Sequence, residues 1–215
     1  SLEKFSFPKG VRTVGREFSR DYEAVDSECF AGCSSLREIV IPPSIFHVKG
    51  GAFDGCTMLS KISLPSKLKT IGFRAFCECR ALETIDIPES VTEIGNSAFK
   101  NCEGLKKINL PYQITKLESE VFAGCKSLST IEIPENVESI EMHAFQNCSS
   151  LKTIKFSAEI QEMELGTAVF TGCTNLIEIV LPRSIADSVL NTKVDYCYDS
   201  KKLRELPGLK ITYME

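Results

Sequence analysis

The sequence has no tryptophan and only two histidines, His47 and His143. So little imidazole leaves scant material for histidine-based catalysis or for mixed Cys/His zinc sites. Positive charge is not in excess either. Twenty-five Lys plus Arg stand against 29 Asp plus Glu, a net charge of −4 with a pI near 5.4, which excludes a nucleic-acid binder built on a broad basic surface. No apolar run approaches the roughly 20 residues of a membrane-spanning helix. The opening SLEKFSFPKG lacks the apolar segment of an export signal. The chain as given reads as soluble, although a cleaved signal would leave no trace. No phosphate-binding glycine loop, nucleophile elbow or His-Glu-x-x-His is present.

What is present is repetition. Of the 215 residues, 43% are hydrophobic and 25% charged, a globular balance, and the apolar ones recur in register. Phe stands at 30, 53, 76, 99, 122, 145 and 170, so five successive spacings are 23 residues and the last is 25. Three residues after each Phe comes Cys33, Cys56, Cys79, Cys102, Cys125, Cys148 or Cys173. A Leu follows three later (Leu36 to Leu176), and an Ile three after that (Ile39 to Ile179). Two further on is a second apolar residue, then Pro in all copies but that of Ser157.

The Leu-x-x-Ile-x-Ile-Pro stretch alternates apolar and polar residues, the period of a strand with one buried face. Strands 23 residues apart leave no room for a full crossover helix. Each coil must therefore return through turns and one short helical piece, which predicts a solenoid of stacked parallel strands. Ala-Phe-x-Gly-Cys reads as that helical turn. Gly or Asn before the Cys suits a left-handed backbone at its end. Glu78 breaks this rule, which predicts a strained or altered turn there.

Degenerate coils flank the regular ones. Phe5-Ser6-Phe7-Pro8 with Val11 and Val14, and Leu206, Leu209 and Ile211, repeat parts of the pattern and bring the expected sheet to nine strands. The whole chain, 1–215, reads as one domain. Residues 1–29 form a degenerate first coil with an insertion at 15–25 that carries Phe18, Arg20 and Tyr22; 30–182 are regular repeats. Residues 183–215, with Tyr196, Tyr198 and a helix expected over Ile185 to Asn191, close the array as a cap.

Seven Cys share one repeat position, so their side chains should stack in parallel at about the 4.8 Å strand spacing. A disulfide instead needs Cβ atoms about 3.8 Å apart and turned toward each other. A buried ladder of free thiols, each offering a weak hydrogen bond to backbone, fits better. Metal binding is disfavoured: there are no Cys-x-x-Cys knuckles, and the two His lie in different coils. Cys29 replaces the Ala before Phe and should be buried. Cys77 occupies a variable position, which predicts exposure and makes it the most reactive thiol; Cys197 stands apart. Asn147-Cys148-Ser149 matches a glycosylation sequon, but both of its first residues hold structural repeat positions. With no Ser, His and acid that the repeat brings together, hydrolysis lacks its parts. The expectation is no enzyme activity, no cofactor and no metal.

The copy Leu82-x-x-Ile85-x-Ile87-Pro88-x-x-Val91-x-x-Ile94-Gly95-x-x-Ala98-Phe99-x-x-Cys102 resembles the BspA-type leucine-rich repeats, and the resemblance covers about residues 2 to 182 with one weak copy near the end. It implies a leucine-rich-repeat right-handed superhelix with a parallel β-sheet on one face. It also implies a non-catalytic protein-binding or adhesion module, extracellular or at the cell surface, whose partner is a protein or glycan such as a host matrix component. A spacer that displays another domain, or an intracellular scaffold, is the alternative.

The outward residues of the strands run Lys4/Ser6, Glu38/Val40, Lys61/Ser63, Thr84/Asp86, Lys107/Asn109, Thr130/Glu132, Thr153/Lys155, Glu178/Val180 and Lys210/Thr212. Each strand supplies one charge, and the sign alternates along the array. Opposite charges side by side avoid a repulsion of a few tenths to about 1 kcal/mol per pair, a structural explanation that needs no ligand. The functional reading is a neutral, hydrogen-bonding strip for an extended protein segment or a glycan, built on Lys61, Thr84, Asp86, Lys107, Asn109, Glu132 and Lys155. A neutral strip disfavours nucleic acid and anionic membrane. Phe46 and Phe73 stand where other copies have mostly polar residues, Tyr112 follows a strand-ending Pro, and all three are candidate anchors.

Overall fold

The computed structural model describes residues 3–5, 24–191, 203 and 208–214. Phe7, Val11, Val14, Phe18, Arg20, Tyr22, Tyr196, Cys197, Tyr198 and Leu206 lie outside the described residues.

The chain winds as a parallel β-solenoid. Among the described residues nine strands form its front face: Lys4–Phe5, Glu38–Val40, Lys61–Ser63, Thr84–Ile85, Lys107–Ile108, Thr130–Ile133, Thr153–Phe156, Glu178–Pro182 and Lys210–Met214. All paired neighbours are parallel, in groups of three, two and four strands. In the strands from Glu38–Val40 to Glu178–Pro182 the central Ile points inward, as in the exposed-buried-exposed pattern of Lys61–Ser63. The Leu and Ile rows predicted for the core are buried throughout.

A second ladder, absent from the expected architecture, runs down another side of the solenoid. Its strands are Ala24–Val25, His47–Val48, Thr70–Ile71, Glu93–Ile94, Lys116–Leu117, Ser139–Ile140 and Glu164–Leu165. They pair in parallel, four and three together. Val25 pairs with Val48, so Ala24 and Val25 belong to the first coil rather than to the insertion.

The segment expected as a helical turn is a run of turns closed by i→i+3 bonds, such as Asp54 N–H to Gly51 O and Cys56 N–H to Phe53 O. Two left-handed residues bracket it in every coil, for example Gly51 (φ 63°) and Gly55 (φ 73°), or Arg74 (φ 52°) and Glu78 (φ 61°). That alternation prevents a helix and turns every second N–H toward the next coil: Arg74, Phe76 and Glu78 donate to the carbonyls of Asn96, Ala98 and Lys100 at 2.8 to 2.9 Å. The backbone of the turn is thereby satisfied between coils. Glu78 keeps the same turn as its glycine counterparts and carries the left-handed cost of a residue with a Cβ. Asn101 Nδ2 and Arg80 Nε both donate to its carboxylate, at 2.6 and 2.8 Å. Burial would raise its pKa, but these bonds hold it below the usual range. Gly124 takes the same left-handed backbone (φ 74°), where a glycine carries no Cβ cost.

The seven phenylalanines form one stack. Phe30, Phe53, Phe76, Phe99, Phe122, Phe145 and Phe170 lie with ring centroids 5.2 to 5.9 Å apart and near-parallel planes. Beside them run the free thiols. Each ladder Cys from Cys56 to Cys173 donates its S–H to the carbonyl of the Phe one coil back, at 3.1 to 3.3 Å. Toward the C-terminal end, a 3₁₀ turn Arg183–Ile185 and a helix Ala186–Leu190 bury Ile185, Val189 and Leu190, and Leu203 is buried in the same core.

Candidate functional site

The front strands carry Lys61, Thr84, Lys107, Glu132 and Lys155, with Asp86 and Asn109 directly after theirs, and the register corrects the expected charge pattern. Lys4 faces Glu38, Glu132 faces Lys155 and Glu178 faces Lys210. These three pairs close to ion pairs of 3.1, 3.5 and 3.0 Å. Glu38 also faces Lys61, without an ion pair between them among the described residues. Asp86 is different. The partner of Lys107 is Thr84, so Asp86 sits two residues further along its strand and meets its neighbours on the diagonal, about 8 Å away by strand spacing and rise. Lys61, Asp86 and Lys107 accordingly have no ion pair among the described residues. Alternating sign along the array is therefore not the same as alternating charge in register.

This middle of the face is where the surface dips. A depression of about 940 Å³ is lined by Lys107, Asn109, Thr130, Glu132, Thr153 and Lys155, with Glu89, Tyr112 and Glu135 on one rim and Met214 among its walls. A smaller one of about 200 Å³ adjoins it, between Thr84, Asp86, Lys107 and Asn109. Lys61 lines neither.

The three aromatic candidates separate. Tyr112 is 54% exposed and stands on the rim of the larger depression. Its hydroxyl donates to Glu135 Oε1 at 2.7 Å and its amide to Glu89 Oε2 at 2.9 Å, while Asn136 Nδ2 donates to its carbonyl at 3.0 Å. Single-copy reading missed Glu89 and Glu135; their 23-residue offsets from Tyr112 were the available signal. Phe73 is 56% exposed but follows the side-ladder strand Thr70–Ile71. Phe46 is half-buried beside the side-ladder strand His47–Val48, so it does not stand free as an anchor.

Two thiol expectations are also corrected. Cys77 is only 1% exposed. It sits by the Arg74–Asp54 ion pair of 2.8 Å, and burial, with Asp54 adding, pushes its thiol up to about 12. Cys29 is half-buried rather than buried, because its coil lies at the end of the stack; burial and then Asp26 raise its thiol to about 12.

Ser, acid and His do come together, contrary to the sequence expectation. Ser97, Glu120 and His143 occupy the same left-handed position in consecutive coils, with φ of 55°, 57° and 62°. Ser97 Oγ donates to Glu120 Oε2 at 3.0 Å, and Lys100 Nζ donates to the same oxygen at 2.8 Å. Lys100 holds the Glu120 carboxyl below its usual range against burial, with Ser97 and His143 assisting. The acid lies between the other two in the stack, and the serine proton is bound to carboxylate. Nucleophile activation needs that proton on the base. The row therefore fits an electrostatic staple rather than a nucleophile.

The family model for the BspA-type leucine-rich repeat region matches the chain in six copies, over residues 15–126 and 92–207. A solved leucine-rich repeat protein of T. pallidum (TpLRR) is 30% identical with a TM-score of 0.67, the match covering 80% of this chain and 77% of that one. A leucine-rich cell surface protein of Faecalibacterium prausnitzii A2-165 is 26% identical with a TM-score of 0.58, covering 91% of this chain. The match spans 63% of that protein's length. No curated protein matches the chain.

Proposed function

Because the chain belongs to the BspA-type leucine-rich repeat family, whose repeats generally serve as protein-interaction modules, we propose that it is a non-catalytic adhesion or binding module of a secreted or cell-surface protein. Its partner is an extended protein segment or a glycan held along the front strands. The observation that carries this reading is that Lys107, which lines both front-face depressions, and Asp86, which lines the smaller, have no ion pair among the described residues. Charges already neutralised in register offer a partner little; charges left unpaired around a dip can be paired across an interface. The mixed signs disfavour nucleic acid and anionic membrane, which need a field of one sign. No helix among the described residues is long and apolar enough to cross a membrane.

The test is binding of the purified chain to immobilised matrix and serum glycoproteins and to epithelial cells at two salt concentrations. An Asp86→Lys/Lys107→Asp variant runs alongside. Saturable binding that the exchange weakens supports the reading. Absence of binding at micromolar concentration refutes it and favours a spacer that displays another domain.

A further inference from the structure

The same depression has a chemical bias. Its two lysines are not equivalent: Lys155 is paired to Glu132 at 3.5 Å, whereas Lys107 has no ion pair among the described residues. On the rim, Glu89 and Glu135 each bond only to Tyr112 in the described contacts, through its amide and its hydroxyl. Neither has a cationic partner among the described residues. Glu89 and Asn136 thus hold the Tyr112 backbone and Glu135 holds its hydroxyl, with more than half of the residue's surface open. An aromatic ring presents a negative face, attractive to a guanidinium or ammonium group. With two uncompensated carboxylates flanking it, the rim complements positive charge. Lys107, which lines the same depression, carries the opposite sign.

Resting on the reading of the front face as a binding surface, we infer that the Tyr112 rim, with Glu89 and Glu135, receives an arginine or lysine side chain of an extended protein segment lying in the depression. The cation lies over the ring and hydrogen-bonds to the carboxylates, while the segment's backbone runs over Asn109, Thr130 and Thr153. Because the tyrosine is already fixed, little side-chain freedom is lost on binding. A neutral sugar would use the ring equally well but would leave both carboxylates without their charge complement.

The probes are a Gly/Ser-flanked tetra-arginine peptide, its tetra-glutamate counterpart and a neutral tetrasaccharide. Each is titrated into the whole protein, with affinity measured by calorimetry for every variant and the labelled Tyr112 ring followed by NMR where it is present. Saturable shifts with the arginine peptide alone are expected. Tyr112→Leu and the Glu89→Gln/Glu135→Gln pair should each weaken binding about tenfold, and Tyr112→Phe, which keeps the ring, less than threefold. Lys107→Gln should tighten it about twofold to threefold by removing a like charge. Native melting temperatures of these surface variants confirm that folding is not the cause. Arginine binding indifferent to Tyr112→Leu, or a ring response to the saccharide or the acidic peptide instead, overturns the inference. A glycoprotein partner lost with Asp86→Lys/Lys107→Asp but unmoved by Tyr112→Leu would keep the front-face reading and discard this one.

Discussion

Raising the pH above 9 should unfold this protein through its thiols. Burial pushes Cys56, Cys77 and Cys173 up to about 12 and moves Cys79, Cys102, Cys125 and Cys148 in the same direction. All seven are at most 8% exposed. Their ordinary value is 9.0. In the window between 9.0 and about 12 the unfolded chain has lost protons that the native chain keeps. The stabilisation is thus fully present below about pH 9 and is lost as pH rises through the folded values. Each thiol contributes a slope of about 1.4 kcal/mol per pH unit. Several acting together exceed the whole stability of a typical domain, about 5–15 kcal/mol, within one to two units. The assay is urea unfolding followed by circular dichroism at pH 7, 8, 9, 9.5 and 10, with reductant and without oxygen. Lysines and tyrosines also titrate at the upper end, so a Cys102→Ala/Cys125→Ala variant serves as control and should have a slope shallower by about 3 kcal/mol per unit. An unchanged midpoint between pH 8 and 10, or the same slope in the variant, would refute the buried-thiol account.

The phenylalanine stack gives a second expectation. Phe99 lies fully buried between rings 5.5 and 5.7 Å away, so Phe99→Ala should cost about 4 kcal/mol. Phe170, with one ring neighbour at 5.9 Å among the described residues, should cost about 1 kcal/mol less; equal losses in urea unfolding would argue against a continuous stack. Ile85→Asp buries an uncompensated charge at a site 4% exposed. It should unfold several coils, and a native circular-dichroism spectrum and melting point would contradict the register. Thr84→Ala, on the exposed flank of the same strand, should shift the melting temperature by less than 2 °C in a thermal scan.

The rows that fill the core were legible because each rests on side-chain chemistry repeated seven times: Phe30 to Phe170, Cys33 to Cys173, and the Leu and Ile columns. The side ladder was visible only as Val91-x-x-Ile94, two apolar positions too few to establish a strand period. The second left-handed position was hidden for a different reason. It is occupied by Glu28, Gly51, Arg74, Ser97, Glu120, His143 and Ala168, and only one of these is a residue that favours such a backbone. Inter-coil hydrogen bonds impose the conformation, and composition leaves no mark of it. Cys77 illustrates the same limit. Variability at its position suggested exposure, but its short side chain is buried beside the Arg74–Asp54 pair.

The candidate site was legible residue by residue and misread in its arrangement. Charge sign along the strands was correct, yet sign alone does not give distance, since a charge on the first outward position and one on the second are two residues apart along the strand. Where neighbours use the same position, as in Lys4 with Glu38, the structural explanation of the alternation suffices. It fails for Asp86 and Lys107, whose strands use opposite positions. Exposed ion pairs contribute only about 0–1 kcal/mol each, so folding would lose little if these two were neutral. A solenoid that needed only to stay folded could place Thr or Ser at both positions. Lys107 shares its depression with Tyr112, Glu89 and Glu135, and Asp86 lines the smaller one beside it, which is the placement the proposed binding face requires.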